Sequence, residues 1–316
     1  MAPFARQITA ASPRVIYYHR FGDGDPRRMS AAMFSAQLRY LKKHFSIAPL
    51  KDVVYAIAAR HKIPRRTVAI TVDDGYRDFL DIAYPILVSE KVPATLFVAS
   101  QFVAGNVWFW FDRIRYVCER TERKEVVFQS PETQWELSLK SAKDREGAWD
   151  KISNCCLRLT PNAREALIAA LVKAADVALP EAPPDLFAPI PLEQLRELDR
   201  SLIDIGAHTR THPILSGCSK EEQVTEIAGS RQELEKMLCR QVVLFAYPNG
   251  QRGDFDARTS EIVRESGYLG AVSTQAGLVK KASNRFILPR ICASHDNGCF
   301  QREINGLTEL KARLTG

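Results

Sequence analysis

Asp73 and Asp74 stand side by side in ITVDDGYRDF (residues 70–79), after a β-branched run and before Gly75. Adjacent carboxylates repel each other, so placing two at the end of an apolar strand needs a reason. An Asp-Gly turn that caps the next helix requires one aspartate, not two. Two of the six histidines, His208 and His212, stand four residues apart in GAHTRTHPIL. On a helix or tight turn that spacing puts two imidazoles on one face. It suits two ligands of one metal, and equally a polar pair closing a strand. Two histidines and one carboxylate make a common site for Zn²⁺ or a similar divalent ion, with positions left open for water and substrate. The second carboxylate would then be free to move a proton.

The elements around these residues alternate between strand and helix. RVIYYH (14–19) precedes a helical pattern over 30–45, with Ser30 as its N-cap and Met33, Phe34, Leu38, Leu41 and Phe45 on one face. TVAITV (67–72) runs into Asp73 and leads to a helix over 76–91 that Pro85 should interrupt or kink. Strand-like runs recur at 94–100, 202–208, 242–248, 268–274 and 285–291, with helical stretches at 220–239 and 256–267. This order predicts a mainly parallel α/β sheet or barrel with helices outside. Residues 105–189 break the rhythm. They begin at NVWFWFDRIRYV, include a helix over 161–178 and end in the proline-rich LPEAPPDLFAPIP. They read as a mainly helical insertion between a first barrel part (1–104) and a second part with a C-terminal tail (190–316).

The chain has 316 residues, 46% hydrophobic and 26% charged, which allows a normal core and argues against disorder. No apolar run approaches the ~18 residues that span a bilayer. The start, MAPFARQITAASPRV, lacks the apolar stretch of a secretory signal. Taken as the natural start, it predicts a cytoplasmic protein. Seven scattered cysteines without a C-x-x-C spacing read as reduced thiols rather than disulfides or a zinc site. The net charge of +7 is uneven, because residues 1–66 carry 13 Lys and Arg against three acidic residues. That basic third is either a solvated surface or a peripheral contact with anionic membrane. No nucleic-acid motif accompanies it.

TVDDG (71–75) followed by HTRTH (208–212) resembles the paired motifs of the polysaccharide deacetylases, the NodB-homology or carbohydrate esterase family 4 proteins. VIYYHRF (15–21), FAYPNGQRGDFDARTSEIVRESGYLGAVST (245–274) and FILPRI (286–291) extend the resemblance, toward the branch of poly-N-acetylglucosamine deacetylases. It covers roughly residues 13–104 and 190–295. It implies a distorted (β/α)7 barrel and metal-dependent hydrolysis of N-acetyl groups on amino sugars. Asp74, His208 and His212 would then hold one divalent ion, Zn²⁺ first, with Co²⁺ or Ni²⁺ as alternatives. Asp73 would be the general base, and the backbone N–H of Asn249 an oxyanion donor. Tyr247 would contact substrate, and Thr209 would brace the histidine loop.

The chain departs from the family pattern at Val72, a mild apolar swap for the phenylalanine of TFDDG, and in two further places. Ala246 stands where the third motif usually has the arginine that holds the catalytic aspartate, and Arg290 is the candidate substitute. The late Leu-x-His motif is missing, so the general acid is His19, with His295 as the alternative. Trp108 and Trp110, beside Phe109 and Phe111, either stack on sugar rings or pack the insertion onto the barrel. Asp112 and Arg113 are further candidate substrate contacts. The expected substrate is an N-acetylated amino sugar of a saccharide or glycoconjugate, lipid- or nucleotide-linked in a cytoplasmic setting. Two alternatives stay open: another amide hydrolase on the same barrel, such as a deformylase, and a non-catalytic carbohydrate-binding protein.

Overall fold

The computed structural model describes residues 2–130 and 133–315. Its strands are β1 (Arg14–Tyr18), β2 (Ser46–Ile47), β3 (Thr67–Val72), β4 (Ala94–Val98), β5 (Glu125–Gln129), β6 (Gln134–Ser138), β7 (Ile203–Ala207), β8 (Leu244–Ala246), β9 (Gly270–Ala276) and β10 (Leu288–Cys292). Seven of them close a parallel ring in the order β1–β3–β4–β7–β8–β9–β10, with β10 pairing back to β1 and β2 added beside β3. This is the (β/α)7 barrel that the resemblance implies. Every residue of β1, β3, β4 and β8 is buried. Parallel strands covered on both faces read as continuous apolar runs, which is why the sequence shows them clearly.

The ring is distorted at β9–β10. No helix joins these strands, and their register shifts between Leu288 and Arg290. A bulge of this kind re-aims side chains, and Arg290 lies fully buried just past it. Ser30 caps the helix Ala31–His44 by accepting the Met33 N–H. The segment after β3 opens with a π-helical turn, Phe79–Ala83, and continues as the α-helix Tyr84–Glu90. The Tyr84 N–H bonds the Phe79 carbonyl, five residues back. Pro85 explains the wider turn, since its ring would clash with a carbonyl four residues earlier in a regular helix.

The segment between β4 and β7 builds its own core. Helices Trp110–Arg120, Ala142–Cys156 and Pro161–Ala175 pack with the antiparallel hairpin β5–β6 around residues such as Ile114, Phe128, Trp135 and Leu171. The hairpin adds two short strands to an insertion that is otherwise mainly helical, as the sequence predicts. Its strands alternate exposed and buried positions, the two-residue period of a sheet with one wet face. The last helix ends at Ala175, before the expected 178, because Asp176 turns left-handed at φ 57°.

The proline-rich return is tied to the turn after β3. Arg77 N–H donates to Ala188 O at 2.9 Å, and Ile190 N–H donates to Gly75 O at 2.9 Å. At the opposite end of the barrel, buried Arg14 donates to Thr9 O (2.7 Å) and Ile304 O (3.1 Å), joining both chain ends. No disulfide joins any two of the seven cysteines. Among the described residues no helix is long and apolar enough to cross a membrane.

Candidate active site

The C-terminal ends of the barrel strands converge on a cavity of about 510 Å³, lined by His19, Asp73, Asp74, His208, His212 and Asn249 among others. Loops at this end carry the site in barrels of this type. The turn after β3 sets the two aspartates apart. Asp74 has φ 79° and Gly75 φ 90°. A Cβ on Gly75 would lie 2.8 Å from Val98 Cγ1, so neither the conformation nor the space admits a side chain.

Asp73 is buried and gripped by Arg290. The Arg290 Nη1 and Nη2 groups donate to Asp73 Oδ1 and Oδ2, each at 2.7 Å. Arg290 also donates from Nε to Ser273 O (2.8 Å) and from Nη1 to the Thr71 hydroxyl (3.0 Å), and it lies 4.5 Å over the Tyr17 ring. Burial pushes the Asp73 carboxyl up, but the Arg290 charge and hydrogen bonds outweigh it and hold it below the usual carboxylate range. Arg290 therefore makes the contact with Asp73 for which it was the candidate.

Asp74, His208 and His212 offer ligand atoms that all lie within 4.8 Å of one another. His208 Nε2 and His212 Nε2 stand 3.4 and 3.5 Å from Asp74 Oδ1. Two donors each ~2.1 Å from one ion at a near-tetrahedral angle are ~3.4 Å apart, so the spacing fits a divalent ion. The tautomer of His208 fits as well. Its Nδ1 meets Ala246 O at 2.7 Å, which places the proton there and leaves Nε2 with its lone pair toward the cluster. Burial and the neighbouring His208 push His212 down to about 4, so it is neutral near pH 7 and able to ligate.

The histidine spacing works through a tight loop, not a helix. Thr209 and His212 are both left-handed, at φ 63° and 60°. The Thr209 hydroxyl donates to His208 O and accepts the His212 N–H at 3.1 Å. Glu226, on the helix Lys220–Leu238, accepts from Arg210 N–H (2.8 Å), Thr211 N–H (2.9 Å) and the Thr211 hydroxyl (2.8 Å). One turn pair further along that helix, Glu233 binds Arg210 Nε at 2.8 Å. These two glutamates were not singled out in the sequence. Their seven-residue spacing on one helix face is the only local signal they leave.

The other candidates separate. His19 lines the cavity with Nε2 3.8 Å from Asp73 Oδ2, whereas His295 is exposed and outside the lining. Asn249 is left-handed at φ 55°, and its N–H has no acceptor among the described residues. Its carbonyl is held by the Thr274 hydroxyl. Tyr247 is corrected as a substrate contact. It is fully buried, stacked on Phe255 at 4.0 Å, and its hydroxyl donates to Phe286 O at 2.8 Å. The aromatic run divides: Trp110 lines the cavity, Phe109 and Phe111 pack against His212 at 5.1 and 5.5 Å, and Trp108 packs on Tyr116 and Phe187 outside it. Arg113 also lies outside and pairs with Glu165 at 2.5 Å.

Asp112 does line the cavity, with the Tyr76 hydroxyl donating to Oδ2 at 2.5 Å. Burial pushes its carboxyl up to about 7, against the lowering effect of Arg20. The insertion adds a wall that the sequence did not announce. Trp149 lines the cavity with its Nε1 donating to Phe111 O (2.9 Å), and Arg115 lies 3.9 Å over its ring while pairing with Glu146 at 2.9 Å.

The family model described as Polysaccharide deacetylase matches residues 60–143 and 160–271. The Bacillus subtilis (strain 168) protein YxkH is 19% identical over 281 residues, 89% of this chain and 71% of that protein. The poly-beta-1,6-N-acetyl-D-glucosamine N-deacetylase of Staphylococcus aureus (strain NCTC 8325 / PS 47) is 36% identical over 99 residues, 31% of this chain. The match spans 32% of that relative's length. Two solved structures share the fold at 18% identity. The Streptococcus pyogenes deacetylase PplD has a TM-score of 0.61, covering 95% of this chain and 98% of that one. IcaB from Ammonifex degensii has a TM-score of 0.60, covering 94% and 96%. A family match across both halves of the barrel, joined to a cavity that gathers the paired aspartates and both histidines, leads to one conclusion: the chain belongs to the polysaccharide deacetylase family.

Proposed function

We propose that the chain hydrolyses an N-acetyl group on an amino sugar of a saccharide or glycoconjugate, releasing acetate with the help of a divalent ion. The observation that carries this reading is one cavity holding two carboxylates in different states. Asp74 faces two imidazoles, and Asp73 is locked by Arg290 beside them.

Asp74, His208 and His212 would hold the ion. When bound, it supplies Lewis acidity at the acetyl carbonyl and acidifies water. The chain's own groups do the rest. Asp73 stays ionised and, fixed by a two-point grip, takes the proton of the attacking water. The Asn249 N–H donates to the oxygen that gains charge as the carbonyl carbon becomes tetrahedral. His19, at the cavity mouth, gives a proton to the sugar nitrogen as the C–N bond breaks. Acetate and a free amine result. Trp110 and Trp149 offer aromatic surface for a sugar ring.

The test is acetate release from N-acetylated amino-sugar oligosaccharides, with N-formylated analogues in parallel. Activity should disappear with chelator and return with Zn²⁺ or Co²⁺. Turnover of formyl but not acetyl substrates would replace this reading with a deformylase, and turnover of neither would leave a carbohydrate-binding protein.

A further inference from the structure

Three buried carboxyls line the catalytic cavity, and the function proposed above employs two of them, Asp73 and Asp74. The third is Asp112, in the first turn of the helix Trp110–Arg120. It is 4% exposed and belongs to no ion pair among the described residues. The Tyr76 hydroxyl fixes it by donating to Oδ2. Tyr76 is itself immobilised. Its ring packs edge-on against Phe102 and Phe109 at 5.2 and 5.7 Å, and the Arg20 guanidinium lies 3.8 Å over its face.

The other oxygen of Asp112 is free. Oδ1 accepts no hydrogen bond from a described residue, and it is not among the unpartnered atoms sealed from water. Because Asp112 lines the cavity, that oxygen opens into it. Burying a carboxyl is costly, and holding Tyr76 needs only one acceptor, which a neutral side chain could supply. The arginines around the cavity are committed elsewhere. Arg20 pairs with Asp78 at 2.7 Å, Arg27 with Asp25 and Glu146 at 2.9 Å, and Arg115 with Glu146 at 2.9 Å. Arg28 lies 3.6 Å from Asp25 and donates to Leu186 O at 3.3 Å. The partner of Oδ1 must therefore come with the ligand. A hydroxyl suits it in either protonation state, since a hydroxyl donates to a carboxylate and accepts from a carboxylic acid. Trp110 and Phe111, the two residues before Asp112, also line the cavity and offer aromatic surface to the carbon face of a sugar ring.

We propose that Asp112 is a specificity-determining residue, which holds one hydroxyl of the amino sugar through Oδ1 while the N-acetyl group lies at the Asp74 cluster. The proposal rests on the deacetylase reading for the kind of molecule that enters the cavity. The insertion then does more than cover the barrel: it selects which sugar is presented to the reacting groups.

The probes are methyl N-acetyl-β-D-glucosaminide, its 3-, 4- and 6-deoxy analogues, and methyl β-D-glucosaminide, the deacetylated form. Each is titrated into metal-free, ¹⁵N-labelled protein, so that binding is read without turnover, and the indole N–H signals are followed. The parent glycoside should shift the Trp110 signal and saturate. One deoxy analogue should bind about ten-fold more weakly, the effect of leaving a buried acceptor without its partner. In Asp112→Ala the parent should fall to the affinity of that analogue, while the analogue itself changes little. Asp112→Leu, closer in shape, serves if Asp112→Ala does not fold. With metal restored, the same selective loss should appear in kcat/KM for the parent. Equal weakening of the parent and all three analogues, no weakening, or no binding of any probe to the unaltered protein overturns the proposal. So does weakening confined to the deacetylated glycoside, which would make Asp112 a contact of the amine. Acetate release without the hydroxyl-selective loss removes Asp112 from the site and keeps the deacetylase reading. The selective loss in binding without acetate release under any metal does the reverse.

Discussion

Arg290 and Asp73 form a two-point ion pair across the barrel, 217 residues apart in sequence, with side chains 0% and 1% exposed. The pair fixes both oxygens of the carboxylate assigned as base. Removing one member leaves the other charge buried and alone, which costs about 3–5 kcal/mol. Arg290→Met should therefore destabilise the protein by that order and lose most activity. Arg290→Met combined with Asp73→Asn should be more stable than Arg290→Met alone. Urea unfolding of the four proteins in the cycle measures the coupling, and additive effects would contradict it.

Asp73 and Asp74 sit one residue apart, yet their substitutions should act differently. Asp73→Asn should retain stoichiometric metal and lose roughly 10²–10⁴ in kcat, the usual share of a general base. His208→Ala should lose the metal itself. Elemental analysis after gel filtration, alongside acetate release, separates the two outcomes. Full activity in Asp73→Asn would remove it from the base role.

Glu226 touches none of the proposed ligands but holds the backbone between them. Glu226→Gln should weaken metal affinity about 10–100-fold, the cost typical of disturbing a ligand's supporting contacts. Competition with a chromophoric chelator reads this directly, and Glu226→Asp should recover part of it. Unchanged affinity would show that the loop is rigid without this anchor.

Asp112 predicts a pH dependence of stability in the metal-free protein. Burial lifts its carboxyl from 3.8 to about 7 in the folded state. The folded protein thus favours the protonated form. That stabilisation is complete below pH 4 and is lost as pH rises toward 7. The full difference is on the order of 4 kcal/mol. The melting temperature should fall between pH 4 and 7 more steeply than in Asp112→Asn, which cannot ionise. Parallel curves for the two proteins would argue against a protonated Asp112.

The sequence by itself determined the strands that build the ring and the short motifs at their ends. Parallel strands buried on both faces must be apolar throughout; Asp73, Asp74 and His208 follow them within two residues, and His212 within five. Local chemistry was therefore legible in local pattern, down to the Ser30 cap and the disruption at Pro85. What the tertiary structure decided is everything set by contacts between distant segments. Tyr247 lies in the third motif but turns into the core. His295 lies near the site in sequence but is exposed. The family resemblance nominated Arg290, but only the register shift after Leu288 and the closure of β10 onto β1 bring its fork against Asp73. The hairpin β5–β6 and the Glu226 anchor left only faint local signals, an alternation in two short strands and a seven-residue spacing of two glutamates, and the Trp149 wall left none. Each depends on how an element docks, and a one-dimensional pattern encodes backbone preference and burial but not the partner across the gap.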